Sequence, residues 1–579
     1  MQVKFLIGLL VFTALSVNLF ALEPLEIFKP DTIRITPPAP KFTDLERQKE
    51  LAKRRSEVAK KMPPNSILIM WSAAPRNYAG DVDFMYRQEN NLYYLTNLKQ
   101  AGASLIISKD SNENVREFLF LPNRNPQFET WNGRMYSNDD AAKITGLKTI
   151  IDASELTTFL TAFGKKEAFT SKQGIKINSS AETVYLLLPQ SKSDDEGMAE
   201  FNRELDFSKK IAGYKIENAR AIFGELRLIK SPMEIKLVQH AIDITTEAQM
   251  RSMAMIGKAN WEYEVQAEVE YTFRRRNADY WGYPSIVGCG PNATTLHYEE
   301  SQSPVKKGDL LLMDVGAEFD HYTADVTRTF PVNGKFSPAQ AEIYQIVYDA
   351  QEAAAKKIKP GASFEEVGDA ADEVIKKGLA KLGLITAPDA TYQVMFEGNL
   401  VEVPQYRLWF MHGFGHWLGM NVHDVGDYET PLEPGMIFTN EPGIYIRTDA
   451  LDYLPDTPAN KAFVSKIRPI FEKYKTIGVR IEDDMLVTPA GVEWMTKNLP
   501  RKIADIEAFM ATASKEFNYS RLPQEIKPKF ALVNFDTNSF LSDNPAFNPS
   551  GQPVRGGFVW EGKNTAVSGL TRIGLSHGD

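Results

Sequence analysis

Apolar and polar positions divide the chain into two regions of different rhythm. The first begins with a charged helical pattern over 44–61. It continues in short apolar runs: SILIMW at 66–71, NLYYLTNL at 91–98, ASLIIS at 103–108 and EFLFLP at 117–122. Runs this short, punctuated by Pro, Asn and Gly, read as strands of a covered sheet. They alternate with helical or turn-rich stretches such as NDDAAKITG at 138–146 and SELTTFLTAF at 154–163. The alternation predicts an α/β domain over 42–225. The acidic stretch SKSDDEGMAEF at 191–201 reads as an exposed loop.

The second region, 226–500, opens with a long helical period at 229–256. Ser231 can cap this helix, Pro232 suits its first turn, and Glu234 stands three residues after the cap. His240 falls within that period and reads as an ordinary, partly buried or surface helix residue. Helices such as QAEIYQIVYDAQEAAAKKI at 340–358 then alternate with strands in hairpins, an α+β pattern. After 500 come one plausible helix and a tail rich in Asn, Pro, Gly and Ser, so 501–579 is set apart as a C-terminal extension.

The N-terminus adds a processing signal. Lys4, an apolar stretch over 5–17 and Ala21 make residues 1–21 look like a secretory signal, and a proline-rich leader fills 22–41. No later segment is long and apolar enough to span a bilayer, so no stable membrane span is expected after removal of the signal. Cys289 is the only cysteine, which excludes an intramolecular disulfide. The expected location is exported, periplasmic or secreted. Three sequons, at Asn178, Asn292 and Asn518, would matter only in a eukaryotic secretory pathway, and a glycan at Asn292 would crowd His297. This favours a bacterial periplasm.

Composition excludes little but shifts the balance. With 43% hydrophobic and 24% charged residues over 579 positions, the chain is globular and larger than one ordinary domain. A net charge of −9 argues against a nucleic-acid partner, and the run Arg274, Arg275, Arg276 reads as cations at a helix C-terminus.

Candidate chemistry gathers in the second region. LLLMDVGAEFDHYTADVTRTF, 310–330, is an apolar strand ending at Asp314, a turn that holds Asp320, and a β-prone stretch carrying Asp325. A hairpin would set Asp314 beside Asp325, and two adjacent carboxylates repel unless a cation lies between them. MHGFGHWLGMNVHDVG, 411–426, holds three of the chain's seven histidines, with Trp417, Leu418, Met420 and Val422 between them. Glu441 follows an apolar strand and precedes a Pro-Gly turn. In GVRIEDDMLVT, 478–488, the strand period puts Arg480, Glu482 and Asp484 on one face, with Val479 and Ile481 on the other. Carboxylates in such number at the ends of apolar strands call for neutralisation by metal.

Taken in order, the 310–330 stretch, HGFGHWLGMNVHDVG, NEPGIY and VRIEDD resemble the metal-dependent pita-bread superfamily of aminopeptidases and prolidases. Within it the nearest likeness is to Xaa-Pro aminopeptidases. YRQENNLYYLTNL and ETWNGRMYS resemble the creatinase-type N-terminal domain of the same enzymes. The resemblance implies a creatinase-like α/β domain followed by an α+β pita-bread catalytic domain. It implies five metal ligands: Asp314, Asp325 as the bridging one, His416, Glu441 and Glu482. His297, His412 and His423 match substrate-facing histidines, and Tyr445 and Arg480 match positions near the metals or the substrate.

Two divalent cations would balance four carboxylates. A mostly oxygen ligand set with one imidazole favours manganese, with zinc, cobalt or iron able to take its place. The implied activity is release of the N-terminal residue from peptides with proline second, by attack of a metal-bound hydroxide on the Xaa-Pro bond. Glu441 would accept the proton of the attacking water and His423 would stabilise the oxyanion. His297 would shuttle protons or orient the substrate, and His412 would line the proline pocket. The alternatives are an Xaa-Pro dipeptidase (prolidase), which shares these motifs, and an inactive peptide-binding module on the same fold. A homo-oligomer is compatible with either activity.

Overall fold

The computed structural model describes residues 32–178, 180–189 and 199–517. The expected signal, the first part of the leader, most of the acidic stretch, the sequon at Asn518 and the tail beyond Phe517 lie outside the described residues.

The N-terminal apolar runs form a six-stranded mixed sheet. Its strands, in spatial order, are Lys215–Asn218, Thr183–Leu186, Ser66–Trp71, Ser104–Lys109, Val115–Leu121 and Ile150–Asp152. Side chains alternate between two cores. Ile67, Ile69, Ile106, Phe118 and Phe120 face one, while Leu68, Met70, Leu105, Ile107 and Leu119 face the other. A sheet apolar on both faces must be covered on both, which is why these strands read as continuous hydrophobic runs. The exception is NLYYLTNL, which is the helix Asn90–Thr96. Its length allowed either structure, and the cap decided: the Glu89 carboxylate accepts from the backbone N–H of Asn91 and Leu92, satisfying donors that a strand would not leave open.

The charged helix Asp44–Lys61 has a capping box of Thr43 and Glu46, with acids in its first turn and lysines in its last. The long helix Pro232–Met255 begins as expected, with Ser231 and Glu234 forming a second capping box. His240 is more buried than the pattern implied, its ring edge-on to Phe319 at 4.4 Å. Gln249, deep in the same helix, donates to the carbonyls of Met313 and Val326 and ties the helix to the aspartate hairpin.

The expected hairpin forms, with Asp314 paired to Thr327 and Asp325 just before the second strand. Strand Leu310–Val315 pairs antiparallel with Val326–Pro331 and, on its other edge, with Ile286–Cys289. A second antiparallel sheet joins Ile437–Asn440, Asp483–Thr488 and Gly491–Trp494, and a ribbon pairs Gly443–Tyr445 with Gly478–Arg480. Helix Ile503–Glu516 packs on Pro232–Met255. Asp320 is a turn residue, as expected. It sits at φ 56° and is tied to the N-terminal region by Arg47 at 2.8 Å and the Tyr93 hydroxyl at 2.5 Å.

A buried polar knot joins the two regions. Arg227 reaches Asp424 at 2.6 Å and Lys230 reaches it at 3.2 Å, all three side chains being almost wholly buried. Arg227 also donates to Asn91 Oδ1 and Asn421 Oδ1, and Asn90 and Arg87 donate to the carbonyl of Met420. The RQENN segment thus grips the second half of the histidine-rich stretch, at Met420 and Asn421. Removing one partner of a buried ion pair leaves the other charge uncompensated. Asp424→Ala, stranding two cations, is expected to lower stability by about 3–5 kcal/mol, read from denaturant unfolding. A change within experimental error would mean that water reaches the knot.

Candidate active site

Five chain segments converge on one cleft of about 470 Å³. The aspartate hairpin contributes Asp314, opposite Thr327 in register, and Asp325, which immediately precedes the second strand. Tyr283 joins them, its hydroxyl 2.5 Å from Asp314 Oδ1 and 2.6 Å from Asp325 Oδ1.

The histidine-rich stretch is zipped onto strand Ile437–Asn440. Thr439 N–H donates to the His416 carbonyl, His416 N–H to Thr439 Oγ1, Leu418 N–H to the Ile437 carbonyl and Glu441 N–H to the Phe414 carbonyl. The approach is so close that a Cβ at position 415 would lie 1.9 Å from the Thr439 carbonyl oxygen, so only glycine fits. This ladder brings His416 Nε2 to 3.4 Å from Glu441 Oε1 and 3.2 Å from Asp325 Oδ2. His416 Nδ1 lies 3.1 Å from the Trp417 carbonyl, which favours the proton there and leaves Nε2 as the ligating atom.

The stretch 478–488 departs from the expected unbroken strand. Gly478–Arg480 and Asp483–Thr488 belong to different sheets, and the chain steps between them at Ile481 and Glu482, where Glu482 N–H donates to the Thr327 carbonyl. Arg480, Glu482 and Asp484 nevertheless all meet the aspartate hairpin. Arg480 Nη2 is 2.5 Å from Asp314 Oδ2, Glu482 Oε2 accepts from Thr327 Oγ1 at 2.7 Å, and Asp484 Oδ2 accepts from Asp325 N–H at 3.3 Å. Asp483 points away, to the buried Arg328.

The five residues expected to hold metal therefore come together, and Asp325, His416 and Glu482 each offer a ligand atom within 4.8 Å of the others. His297 and His423 are exposed on the cleft, and His412 is half-buried in its wall. Tyr445 is fully buried behind that wall and does not line the cleft; its hydroxyl contacts Arg480 Nη1 and His412 Nε2, each at 2.8 Å. Tyr283 escaped the sequence reading. Its only signal was a tyrosine just before a β-prone run, which many structural tyrosines share.

Compared with known proteins, residues 236–489 match metallopeptidase family M24 and residues 51–170 match the aminopeptidase P N-terminal domain. The Xaa-Pro aminopeptidase of Haemophilus influenzae is 36% identical over 468 residues, covering 80% of this chain and 97% of that protein. The chain belongs to metallopeptidase family M24. The Xaa-Pro aminopeptidase of Escherichia coli is 33% identical, over 82% of this chain and all of the relative. The solved structure of aminopeptidase P from E. coli with the inhibitor Pro-Leu superposes with a TM-score of 0.65 at 31% identity, covering 81% of this chain and 99% of that one. The N-terminal α/β domain and the pita-bread catalytic domain implied by the sequence are both present.

The electrostatics of this M24 cluster fit a divalent metal. Burial and then the neighbouring Asp314 charge push Asp325 above the usual carboxylate range, and burial and Asp325 do the same to Glu482 and Asp484. Glu441 is pushed up to about 7 by burial, partly offset by His416 and reinforced by Asp325. Asp314 alone is held down, because Arg480 and the hydrogen bonds from Tyr283 and Arg480 outweigh its burial. His416 rises to about 9: burial opposes its charge, but the hydrogen bond to Asp325 and the charges of Glu441 and Asp325 overcome it. Carboxylates that resist ionisation together, facing an imidazole nitrogen, require positive charge among them.

That requirement is testable through pH. Glu441 has a folded value above its unfolded one, so its contribution to stability is complete below about 4.5 and is lost as pH rises through about 7. A divalent cation competes with those protons. The stabilisation gained on adding manganese to chelator-treated protein should therefore grow from pH 5 to pH 8, measured as the difference in melting temperature at each pH. A gain that stays level with pH would contradict the assignment of this cluster as the metal site.

Proposed function

We propose that this metallopeptidase releases the N-terminal residue from peptides whose second residue is proline, using two divalent cations, manganese first among them, held by Asp314, Asp325, His416, Glu441 and Glu482. The observation that carries this reading is the convergence of all five donors in one cleft, in a chain that spans nearly the whole length of relatives named Xaa-Pro aminopeptidase. The names of those relatives do not favour the prolidase alternative. Retention of all five donors disfavours a binding module without activity.

Bound there, the cations would polarise the scissile carbonyl and make water nucleophilic near neutral pH. The protein's own groups complete the reaction. Glu441 accepts the proton of the attacking water and returns it to the proline nitrogen as that nitrogen leaves. In the intact Xaa-Pro bond the proline nitrogen carries no N–H and sits in a constrained ring, so the substrate must be aligned by shape rather than by that donor.

Although His423 is exposed on the cleft, partial desolvation there and the neighbouring His416 and His297 push it down to about 4, so it is neutral at physiological pH and can donate one N–H to the developing oxyanion. His412 is pushed down to about 3 by burial and by Arg480. Its Nδ1 faces the Gly413 carbonyl at 2.7 Å and its Nε2 is engaged by Tyr445, so it offers substrate a ring face, suited to the proline pocket. Arg480 and Tyr445 hold Asp314 and His412 in place. His297 stands at the rim and orients the substrate. We further read residues 1–21 as an export signal, supported by Lys4 and the apolar stretch that follows it. Among the described residues no helix is long and apolar enough to cross a membrane.

Asp325→Asn should sharply reduce metal content and nearly abolish turnover while circular dichroism stays native. Full metal content with unchanged activity would remove Asp325 from the site. Specificity is read from three matched peptides: Xaa-Pro-Yaa should be cleaved at least as well as the Xaa-Pro dipeptide, and replacement of that proline by alanine should leave little activity. Strong preference for the dipeptide would make the enzyme a prolidase.

A further inference from the structure

The segment that carries His297 is irregular. It leaves strand Ile286–Cys289 through the short turn Gly290–Thr294, passes His297 at the cleft rim, and returns at Ser303. A catalytic group on such a loop needs something to hold the loop. Glu262, the first residue of helix Glu262–Arg275, lies beneath it and is fully buried.

Its carboxylate accepts four hydrogen bonds, all from this segment. Oε1 takes the backbone N–H of Cys289 at 2.6 Å and Asn292 Nδ2 at 3.0 Å; Oε2 takes the Tyr298 hydroxyl at 2.9 Å and the backbone N–H of Ser303 at 2.8 Å. Glu262 N–H in turn donates to the Ser303 carbonyl at 3.0 Å. One side chain thus holds the loop at its departure, at the residue after His297, and at its return.

We propose that Glu262 is the positioning residue that sets His297 in the cleft. The chemistry selects a carboxylate, since an ionised carboxylate accepts at both oxygens and donates at neither. A glutamine would aim its amide N–H groups at two of the four donors, and an aspartate would fall one methylene short. Packing agrees. Leu296 and Tyr298, which flank His297, lie against a small core of Ile286, Ala293, Leu312 and Tyr445. Strand Gly478–Arg480 approaches the same turn so closely that a Cβ on Gly478 would sit 2.0 Å from the Ala293 carbonyl oxygen. The loop that Glu262 fastens is therefore in register with the strand that carries Arg480. Asn292 also takes on a role: its amide is committed to Glu262.

This role rests on the reading of His297 as a group that meets the substrate, so the test is a double-mutant cycle on the full-length, metal-loaded enzyme. The variants are Glu262→Gln, His297→Ala, their combination, and Tyr298→Phe alone and with His297→Ala. Each is assayed on an Xaa-Pro-Yaa tripeptide, with metal content and melting temperature measured in parallel. Glu262→Gln should lower kcat/KM by roughly 10- to 100-fold at unchanged metal content. The combined variant should be no slower than His297→Ala, because a group acting only through His297 has nothing left to position. Tyr298→Phe should show a smaller loss with the same non-additivity, and it carries the cycle if Glu262→Gln does not fold. Full activity in Glu262→Gln beside an impaired His297→Ala, or losses that multiply in the double variant, would overturn the positioning role alone. Wild-type turnover in His297→Ala would overturn the reading of His297 and the positioning role with it.

Discussion

Mutual repulsion among buried carboxylates is the constraint on which the catalytic half is organised. Asp314 and Asp325 come from one hairpin, and Glu441, Glu482 and Asp484 come from a second set of paired strands and the step beside it; burial makes each charge costly to its neighbours. The fold answers in layers. Arg480 neutralises Asp314, the hydroxyls of Tyr283, Thr327 and Thr439 donate to carboxylate oxygens, and the remaining charge is left for cations to balance. Without such balance the cluster would be a liability to a protein of ordinary stability.

The second dependence runs from the N-terminal region to the histidines. Asp424 lies next to His423, yet it does no chemistry in the cleft. It is held by Arg227 and Lys230, while Asn90 and Arg87 take the carbonyl four residues before it. The N-terminal region thus fixes the end of the histidine-rich stretch, and strand Ile437–Asn440 fixes its middle. The stretch that carries His416 is therefore positioned in part by a domain that lends no side chain to the carboxylate cluster.

Much of this was legible because the signals were local. Ser231 and Glu234 mark a helix start by spacing alone, and a two-strand hairpin with a turn at Asp320 leaves few choices for where Asp314 and Asp325 go. The ordered motifs supplied the rest of the donor set. What escaped was set by distant partners. Helix Asn90–Thr96 could not be told from a strand by its apolar run, because the Glu89 cap decides it. The break at Ile481 and Glu482 arises because two sheets claim the two halves of one β-prone segment, which no two-residue period records. Tyr283 and Glu262 gain their meaning from residues up to 42 positions away, Asp325 in the first case and Ser303 in the second.

The close approach at Gly415 has a mechanical consequence. Since the backbone around His416 is laddered to the strand that leads into Glu441, those two groups ride on one rigid body, and their spacing cannot change without unzipping that ladder. The opposite rim, at His297, is fastened instead through four hydrogen bonds to one buried carboxylate, with Leu296 and Tyr298 packed beneath it. One wall of the cleft is therefore set by a backbone ladder that many residues share, and the other by a single side chain, so removal of one side chain can displace the second wall but not the first.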